Sequence, residues 1–449
     1  MNIKQKIVSF IKDYQSNLTT IFSMMIGVSL ILMIEGWQPS QAKNSKDFLN
    51  NEMTPPPSRN GPLTAEEKQW AMSAWRFFEN NLVPETGLIN SVADYPMTTM
   101  WDTASYLLAL VAAQKLEIID NKTFHSRLNK VLVTLSQLPL FDNKLPHKAY
   151  NTKTLKMINY DDPYKDKQLG WSTLDIARIM IPLHYITWTF PQYAPLIQKI
   201  ISRWDLPSLV SEGELTGGHY SNSKKLKIVQ EGRLGYEQYA SKSLMLYGLD
   251  ATKSSEYGTN LKFQKVEGVD LPTDIRDPKN YAAQNYILSE PFILDGLEFG
   301  WDAYSKNLAY RVYQAQVARF KKTGIYTAVT EDNIDRAPYF VYNAIYNHGK
   351  TWQTVTDTGV SIPDAKTVSS KAAIGWYVLY NDEYTTKLIQ HITRANTPDQ
   401  GWFAGIYEKD NKINAILTAN TNGIILEALY FKQFGNFVHN AYKSKFHHE

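Results

Sequence analysis

The chain has 449 residues, 43% of them hydrophobic and 20% charged, with no cysteine and a net charge of +3. These values exclude a small module, general disorder, a multi-span membrane protein and any disulfide or thiolate chemistry, and they give no reason to expect nucleic acid or anionic lipid as a partner. Trp 11, Tyr 28 and Phe 18 form an aromatic excess that suits a packed core and equally a pocket lined with flat rings.

At the amino terminus Lys4, Lys6 and Lys12 precede an uncharged stretch from Leu18 to Ile34, roughly 25 Å as a helix and short for a hydrocarbon core of about 30 Å. It reads as an export signal, with Ser40-Gln41-Ala42 as a small-x-small cleavage site, or as an uncleaved anchor to the inner membrane. Either way the bulk of the protein is expected beyond the membrane, periplasmic or extracytoplasmic. Residues 1–42 are thus signal or anchor, residues 43–62 a linker stiffened by Pro55, Pro56 and Pro57, and residues 63–449 the folded domain.

The first helix starts at Thr64, where Thr-Ala-Glu-Glu supplies a capping hydroxyl and an acidic first turn; it runs through Trp70, Ala74 and Phe77 to about Asn81. Apolar segments with small residues then recur at Trp101–Leu108, Trp171–Ala177, Tyr236–Ala240, Trp301–Tyr304 and Ser370–Trp376, about 65 to 70 residues apart. A further one, Thr418–Leu426, closes the series. More polar helical stretches lie between them, at Asn121–Leu138, Gln192–Trp204 and Asp382–Arg394. An apolar helix alternating with an amphipathic one about six times predicts an all-α (α/α)6 barrel, inner helices ringed by outer ones. The alternative is an irregular helical bundle with a small β-rich insertion. Long polar connections at Asp161–Asp166, Glu212–Tyr220 and Tyr326–Trp352 should gather over one mouth of the ring.

All inner helices of such a ring run the same way, so their first turns converge on one face. That places Asp102, Asp175, Glu237, Asn420 and Asn422 near Trp101, Trp171, Tyr236 and Tyr239. Each polar residue alone could be an ordinary helix cap. Together they suggest an acidic, aromatic-walled pocket, and paired carboxylates are the apparatus of glycoside hydrolysis. Glu237 is the preferred general acid, since Tyr236 and Tyr239 would desolvate it; Asp102, Asp175 and the loop acids Glu331, Asp332 and Asp335 compete for the base, with Asp332 foremost. Tyr339, Tyr342 and Asn343 follow that loop and suit stacking and hydrogen bonding to sugars, while Arg233 and Arg336 would either bind substrate or neutralise the acids.

No nucleotide-binding fingerprint, His-Glu-x-x-His or Gly-x-Ser-x-Gly is present, and His447 and His448 read as a solvated tail. Asp161, Asp162 and Asp166 fit a solvated turn better than a cation site, so no metal and no cofactor is expected.

Trp101-Asp102, Gly170–Asp175, Glu231–Ala240, Thr327–Asp335 with Pro338–Asn343, and Leu417–Gly423 resemble the domain of unknown function 3131 family, over roughly Leu63 to Gly435. The resemblance implies a bacterial envelope protein and no settled activity; a more distant likeness is to (α/α)6-barrel carbohydrate enzymes, including those acting on β-glucans. The expected function is an exported or tethered glycan-processing enzyme, a glycoside hydrolase acting on an oligo- or polysaccharide. The alternative is a non-catalytic glycan-binding or scaffold protein of the envelope. A metal-dependent enzyme of phosphate-bearing or isoprenoid lipids, through Asp161, Asp162 and Asp166, is the third reading.

Overall fold

The computed structural model describes residues 53–220, 225–258, 260–276, 278 and 284–446. The expected signal or anchor, its cleavage site, the first part of the linker, and His447 and His448 lie outside these. Among the described residues no helix is long and apolar enough to cross a membrane.

Six inner helices form a closed ring, each packed against the next: α2 (Met100–Lys115), α4 (Thr173–Thr189), α6 (Tyr236–Leu246), α7 (Glu290–Leu294), α9 (Ser370–Leu379) and α11 (Ala419–Phe434), which returns to α2. Inner helices are apolar all round because both their faces are covered; in α2 every residue from Leu107 to Ala113 is fully buried. Glycines set two of the closest approaches. A Cβ at Gly423 of α11 would lie 2.8 Å from the Ser105 side chain of α2, and one at Gly375 of α9 would lie 2.5 Å from Ile293 of α7. The helix-forming cost of glycine is accepted there because the Ser105 backbone in one case and the Ile293 side chain in the other leave no room for a Cβ.

The outer layer is α1 (Ala65–Asn80), α3 (Asn121–Gln137), α5 (Ala194–Ile201), α8 (Ala303–Thr323), α10 (Glu383–Ile392) and α12 (Phe437–Phe446). These helices are amphipathic: α3 buries Phe124, Leu128, Val131, Leu132 and Leu135 at helical spacing. α1 begins with the expected capping box, the Glu67 amide donating to Thr64 Oγ1 at 3.2 Å and the Thr64 amide to Glu67 Oε2 at 2.8 Å.

Three expectations need correction. Trp301-Asp302 does not open an inner helix; Asp302 caps the outer α8, accepting from the Tyr304 and Ser305 amides at 2.8 and 2.9 Å. The inner element is α7, extended by a π-helical turn at Asp295–Phe299, and the Trp301 ring folds back onto Gly296. Cap chemistry is the same for inner and outer helices, so the motif could not tell them apart. Residues 57–61 are not a free linker either. The Arg59 amide bonds Val378 O at 2.8 Å, its guanidinium bonds Tyr380 O at 2.6 Å, and the Gly61 amide bonds Lys432 O at 2.9 Å, so this strap covers the carboxyl ends of α9 and α11.

Nor is the fold all-α. The Glu212–Tyr220 connection contains β2 (Glu214–Tyr220), paired antiparallel with β1 (Gly170–Trp171) and β3 (Leu226–Gln230). A hairpin joins β4 (Leu261–Val266) to β5 (Val269–Asp274). The Tyr326–Trp352 connection holds most of a meander of β6 (Glu331–Asn333), β7 (Phe340–Asn347) and β8 (Lys350–Val355). Finally β10 (Gly401–Tyr407) pairs with β9 (Thr367–Ser369) and β11 (Ile413–Leu417). β1, β9 and β11 end immediately before α4, α9 and α11. The sheets therefore stand at the amino-terminal ends of the inner helices and deliver side chains to that mouth.

Candidate active site

First-turn residues of the inner helices meet at one mouth. Trp101 of α2 donates through Nε1 to Asn420 Oδ1 of α11 at 3.1 Å, and Asn420 Nδ2 donates to Glu290 Oε1 of α7 at 2.9 Å. Glu290 is paired with Lys371 of α9 at 2.5 Å. Tyr236 of α6 donates its hydroxyl to Glu331 Oε1 on β6 in a short hydrogen bond. Trp101, Asp102, Asp175, Glu231, Tyr236, Glu331, Tyr342 and Asn420 are all half-buried, the exposure expected of groups lining an opening.

The carboxyls fall into two sets. On the α2 and α4 side stand Asp102, Asp175 and Glu231. Asp102 Oδ2 accepts from Ser91 and Thr99 hydroxyls at 2.6 and 2.7 Å. Glu231, just past β3, accepts from Ser172 Oγ at 2.8 Å and from the Thr173 amide at 2.6 Å, bridging to the start of α4. None of the three has an ion-pair partner among the described residues. Burial, then the Glu231 and Asp102 charges, pushes the Asp175 carboxyl up to about 7; burial also raises Asp102 and Glu231. Tyr160 is 42% exposed as a residue, and desolvation together with the Asp175 and Glu231 charges pushes its ionisation well above the ordinary range. Its main-chain oxygen is held by the Tyr95 hydroxyl at 2.7 Å.

On the α7 and α9 side stand Glu290, Glu331 and Asp332 around Lys371. Alternation along β6 sends the Asp332 carboxyl to the Ser369 and Thr367 hydroxyls at 3.1 and 3.4 Å, with Lys371 at 3.7 Å, and leaves it 1% exposed. Glu331 faces Tyr236 instead. Burial, then Glu290, pushes the Glu331 carboxyl up to about 8, and burial pushes Asp332 to about 7 against the pull of Lys371. Tyr342 of β7 joins the sets: stacked on Tyr286 at 4.3 Å, it is raised by burial and then by Glu331, Tyr286, Asp357 and Asp175, so carboxyls of both sides bear on one phenol.

Beneath the floor is a second charged cluster. Arg178 of α4, fully buried, donates to Glu298 at 2.7 Å, Tyr239 at 2.9 Å, Glu427 at 2.9 Å and Ser105 at 3.3 Å, with its guanidinium carbon 4.8 Å from the Trp101 ring centre. Burial raises both glutamates, and the Glu298 charge raises Glu427 further against the pull of Arg178.

Several expected site residues take other posts. Glu237 is 3% exposed and both its oxygens are occupied, Oε2 by Arg276 at 2.5 Å and Oε1 by Gln230 at 3.0 Å and Arg276 at 3.2 Å. Burial raises its carboxyl and Arg276 pulls it down, but it cannot reach a substrate. Arg233 is buried against Gln230 at 2.6 Å. Trp171 is sealed beneath β2, donating to Thr216 O at 3.1 Å, and Tyr239 belongs to the Arg178 cluster. Asn343 links Thr367 and Thr354, and Asn422 ties the Trp402 backbone at 2.8 and 3.1 Å; both are fully buried. Asp335 bonds Tyr407 at 2.6 Å on the outside of the loop, beside Arg336 lying over the Tyr407 ring at 4.2 Å, and Tyr339 is 65% exposed.

Sequence reading did not single out Glu231, Glu290, Lys371, Tyr160 or Tyr286. Glu290 was hidden by the misplaced fourth inner helix, and a lysine in a first turn runs against helix-dipole preference and carries no acid–base pattern. Among the described residues no group of three or more acids or histidines is arranged to hold a metal ion; Asp166 pairs with Lys156 at 3.1 Å and Asp162 caps the Tyr164 amide at 3.0 Å.

The same fold is found in carbohydrate-active enzymes at low identity. A glucoamylase-like protein of Bacteroides uniformis superposes with a TM-score of 0.62 at 12% identity, over 85% of this chain and 95% of that one. The endo-beta-1,2-glucanase of Chitinophaga pinensis, solved with sophorotriose and glucose, gives 0.59 at 13%, over 86% and 98%. The endo-beta-1,2-glucanase of Talaromyces funiculosus, solved with sophorose, gives 0.56 at 10%, over 85% and 87%. A search of curated proteins finds no match. Residues 69–435 match the family described as protein of unknown function (DUF3131), and the chain belongs to that family.

Proposed function

We propose that this protein is a glycoside hydrolase, with Glu331 as proton donor and Asp175, supported by Glu231 and Asp102, as the carboxylate acting across the scissile bond. One observation carries the reading: half-buried carboxyls without a contact ion pair among the described residues stand on both sides of one mouth, Asp175 in the first turn of α4 and Glu331 on β6 held by Tyr236, with Trp101 and Asn420 bridging the two sides. A carboxyl raised to about 8 retains its proton at neutral pH, while Asp175, raised only to about 7, is partly ionised there, and such a difference in proton affinity is what acid–base cleavage of an acetal needs. Trp101 and Tyr236, edge to face at 5.5 Å, supply a half-buried aromatic floor for a sugar ring. The endo-beta-1,2-glucanase neighbours make β-1,2-linked glucan the first substrate to try. We take the protein to be exported or tethered through residues 1–42; protease accessibility in intact cells against lysed ones tests this.

The test of activity is product release from a polysaccharide panel that includes β-1,2-glucan, for wild type, Glu331→Gln and Asp175→Asn. Each substitution should lower the rate by about 10²- to 10⁴-fold. Wild-type rates in both variants would overturn the assignment, and binding of glucan with no cleavage by wild type would favour a glycan-binding protein.

A further inference from the structure

Lys371 is the one described cation in contact with the carboxyls of the mouth, and it faces three of them. Its ammonium is 5% exposed, 2.5 Å from Glu290 and 3.7 Å from Asp332, with Glu331 next in reach. A single positive charge neutralises one carboxylate well. Glu290 is that partner, because Asn420 also donates to it at 2.9 Å, and Asn420 is itself locked, its oxygen accepting from Trp101 and Ser105 at 3.1 Å each. Two donors, Lys371 and Asn420, therefore converge on the Glu290 carboxyl. Among the described residues Glu331 has the Tyr236 hydroxyl as its side-chain donor, and it must bear the Glu290 charge beside it.

We propose that Lys371 is a positioning residue for the reaction centre: paired with Glu290, it offsets the negative charge that would otherwise bind the proton on Glu331 too tightly, and so keeps that proton transferable. The inference rests on Glu331 as proton donor. The groups facing Glu331 are Tyr236 from α6, Glu290 from α7, Lys371 from α9, Asp332 on its own strand, and Tyr342 and Tyr286 from the wall.

The prediction has opposite signs for the two partners. Lys371→Met removes the positive charge and should move the protonation midpoint of Glu331 up by about one pH unit or more; Glu290→Gln removes the negative one and should move it down by about as much. The double variant should return to within about half a unit of wild type, since both charges are gone. A purely structural role would not split the midpoints this way. The readout is an infrared titration of the carboxyl band that is absent from Glu331→Gln, which needs no turnover; the alkaline limb of glucan cleavage should shift in the same directions. Lys371→Met leaves a buried carboxylate unpaired, so if it fails to fold, Glu290→Gln and the double variant carry the test. Coincident midpoints, or an upward shift in Glu290→Gln, would overturn the inference. Split midpoints without any glucan cleavage by wild type would sink the hydrolase reading and leave the charge arrangement standing; cleavage with coincident midpoints would do the reverse.

Discussion

The mouth and the cluster beneath it are built from the same materials and solve opposite problems. Trp101 separates them. Below it, Arg178 binds two glutamates, a tyrosine and a serine from inner elements, and the group is fully closed off from water. Above it, Asp102, Glu231 and Glu331 accept from hydroxyl or amide donors, and neither they nor Asp175 has a contact ion pair among the described residues. A buried charge must be matched or the fold loses stability, whereas a reactive carboxyl must be left unmatched enough to change its protonation. Acid content alone therefore says nothing about catalysis; what distinguishes the regions is whether the acids are neutralised at contact distance.

The comparison can be broken in several ways. The largest effect is expected at the mouth: Glu331→Gln and Asp175→Asn should cost about 10²- to 10⁴-fold in turnover while leaving the melting temperature unchanged or raised, because Gln replaces a protonated carboxyl of the same shape and Asn removes a charge repelled by Glu231 and Asp102. A fall in melting temperature that accounts for the lost activity would remove the distinction. Next comes the buried cluster. Arg178→Met strands two carboxyls and should lower stability by about 3 to 5 kcal/mol in denaturant titration; an undiminished midpoint would mean that Arg178 contributes nothing to stability. A smaller change is expected at Glu237→Gln, which keeps the shape and breaks a charge-assisted contact with Arg276. It should cost about 1 to 3 kcal/mol of stability with turnover per folded molecule nearly intact, and selective loss of turnover would restore Glu237 as a catalytic acid.

The smallest effect is on pH dependence. Asp175 and Glu331 have folded-state values above those of the unfolded chain, so the folded protein binds more protons than the unfolded one between about pH 4 and 8. Their contribution to stability is present below the unfolded values and is lost as pH rises through about 7 to 8. Chemical denaturation from pH 5 to 9 should show this decline, and it should flatten in Asp175→Asn; an unchanged slope would argue that the acids of the mouth are screened.

Much of the scaffold was legible. The capping box at Thr64 and Glu67, the amphipathic α3 and the first turns at Trp101, Trp171, Tyr236, Ser370 and Thr418 are local patterns, and the helices start within a residue or two of where those patterns place them. The fourth inner helix was misread because α7 is short and continues as a π-helical turn, leaving too few residues to show a period. Strands hidden in the connections were missed because β6 and β9 are only three residues long, and β9 pairs with β10 across the intervening α9 and α10.

The site divides along the same line. Asp102, Asp175 and Glu331 could be nominated from the chain alone, since residue type and first-turn or loop position are local properties. Whether each is free or neutralised was decided by partners from remote segments: Arg276 of the loop after β5 locks Glu237, Ser369 turns Asp332 inward, and Lys371 claims Glu290. Periodicity and caps operate over one or two turns and so are written in the order of residues. The protonation of a carboxyl depends on charges and dipoles within a few ångströms of it, and only the closing of the ring settles which those are.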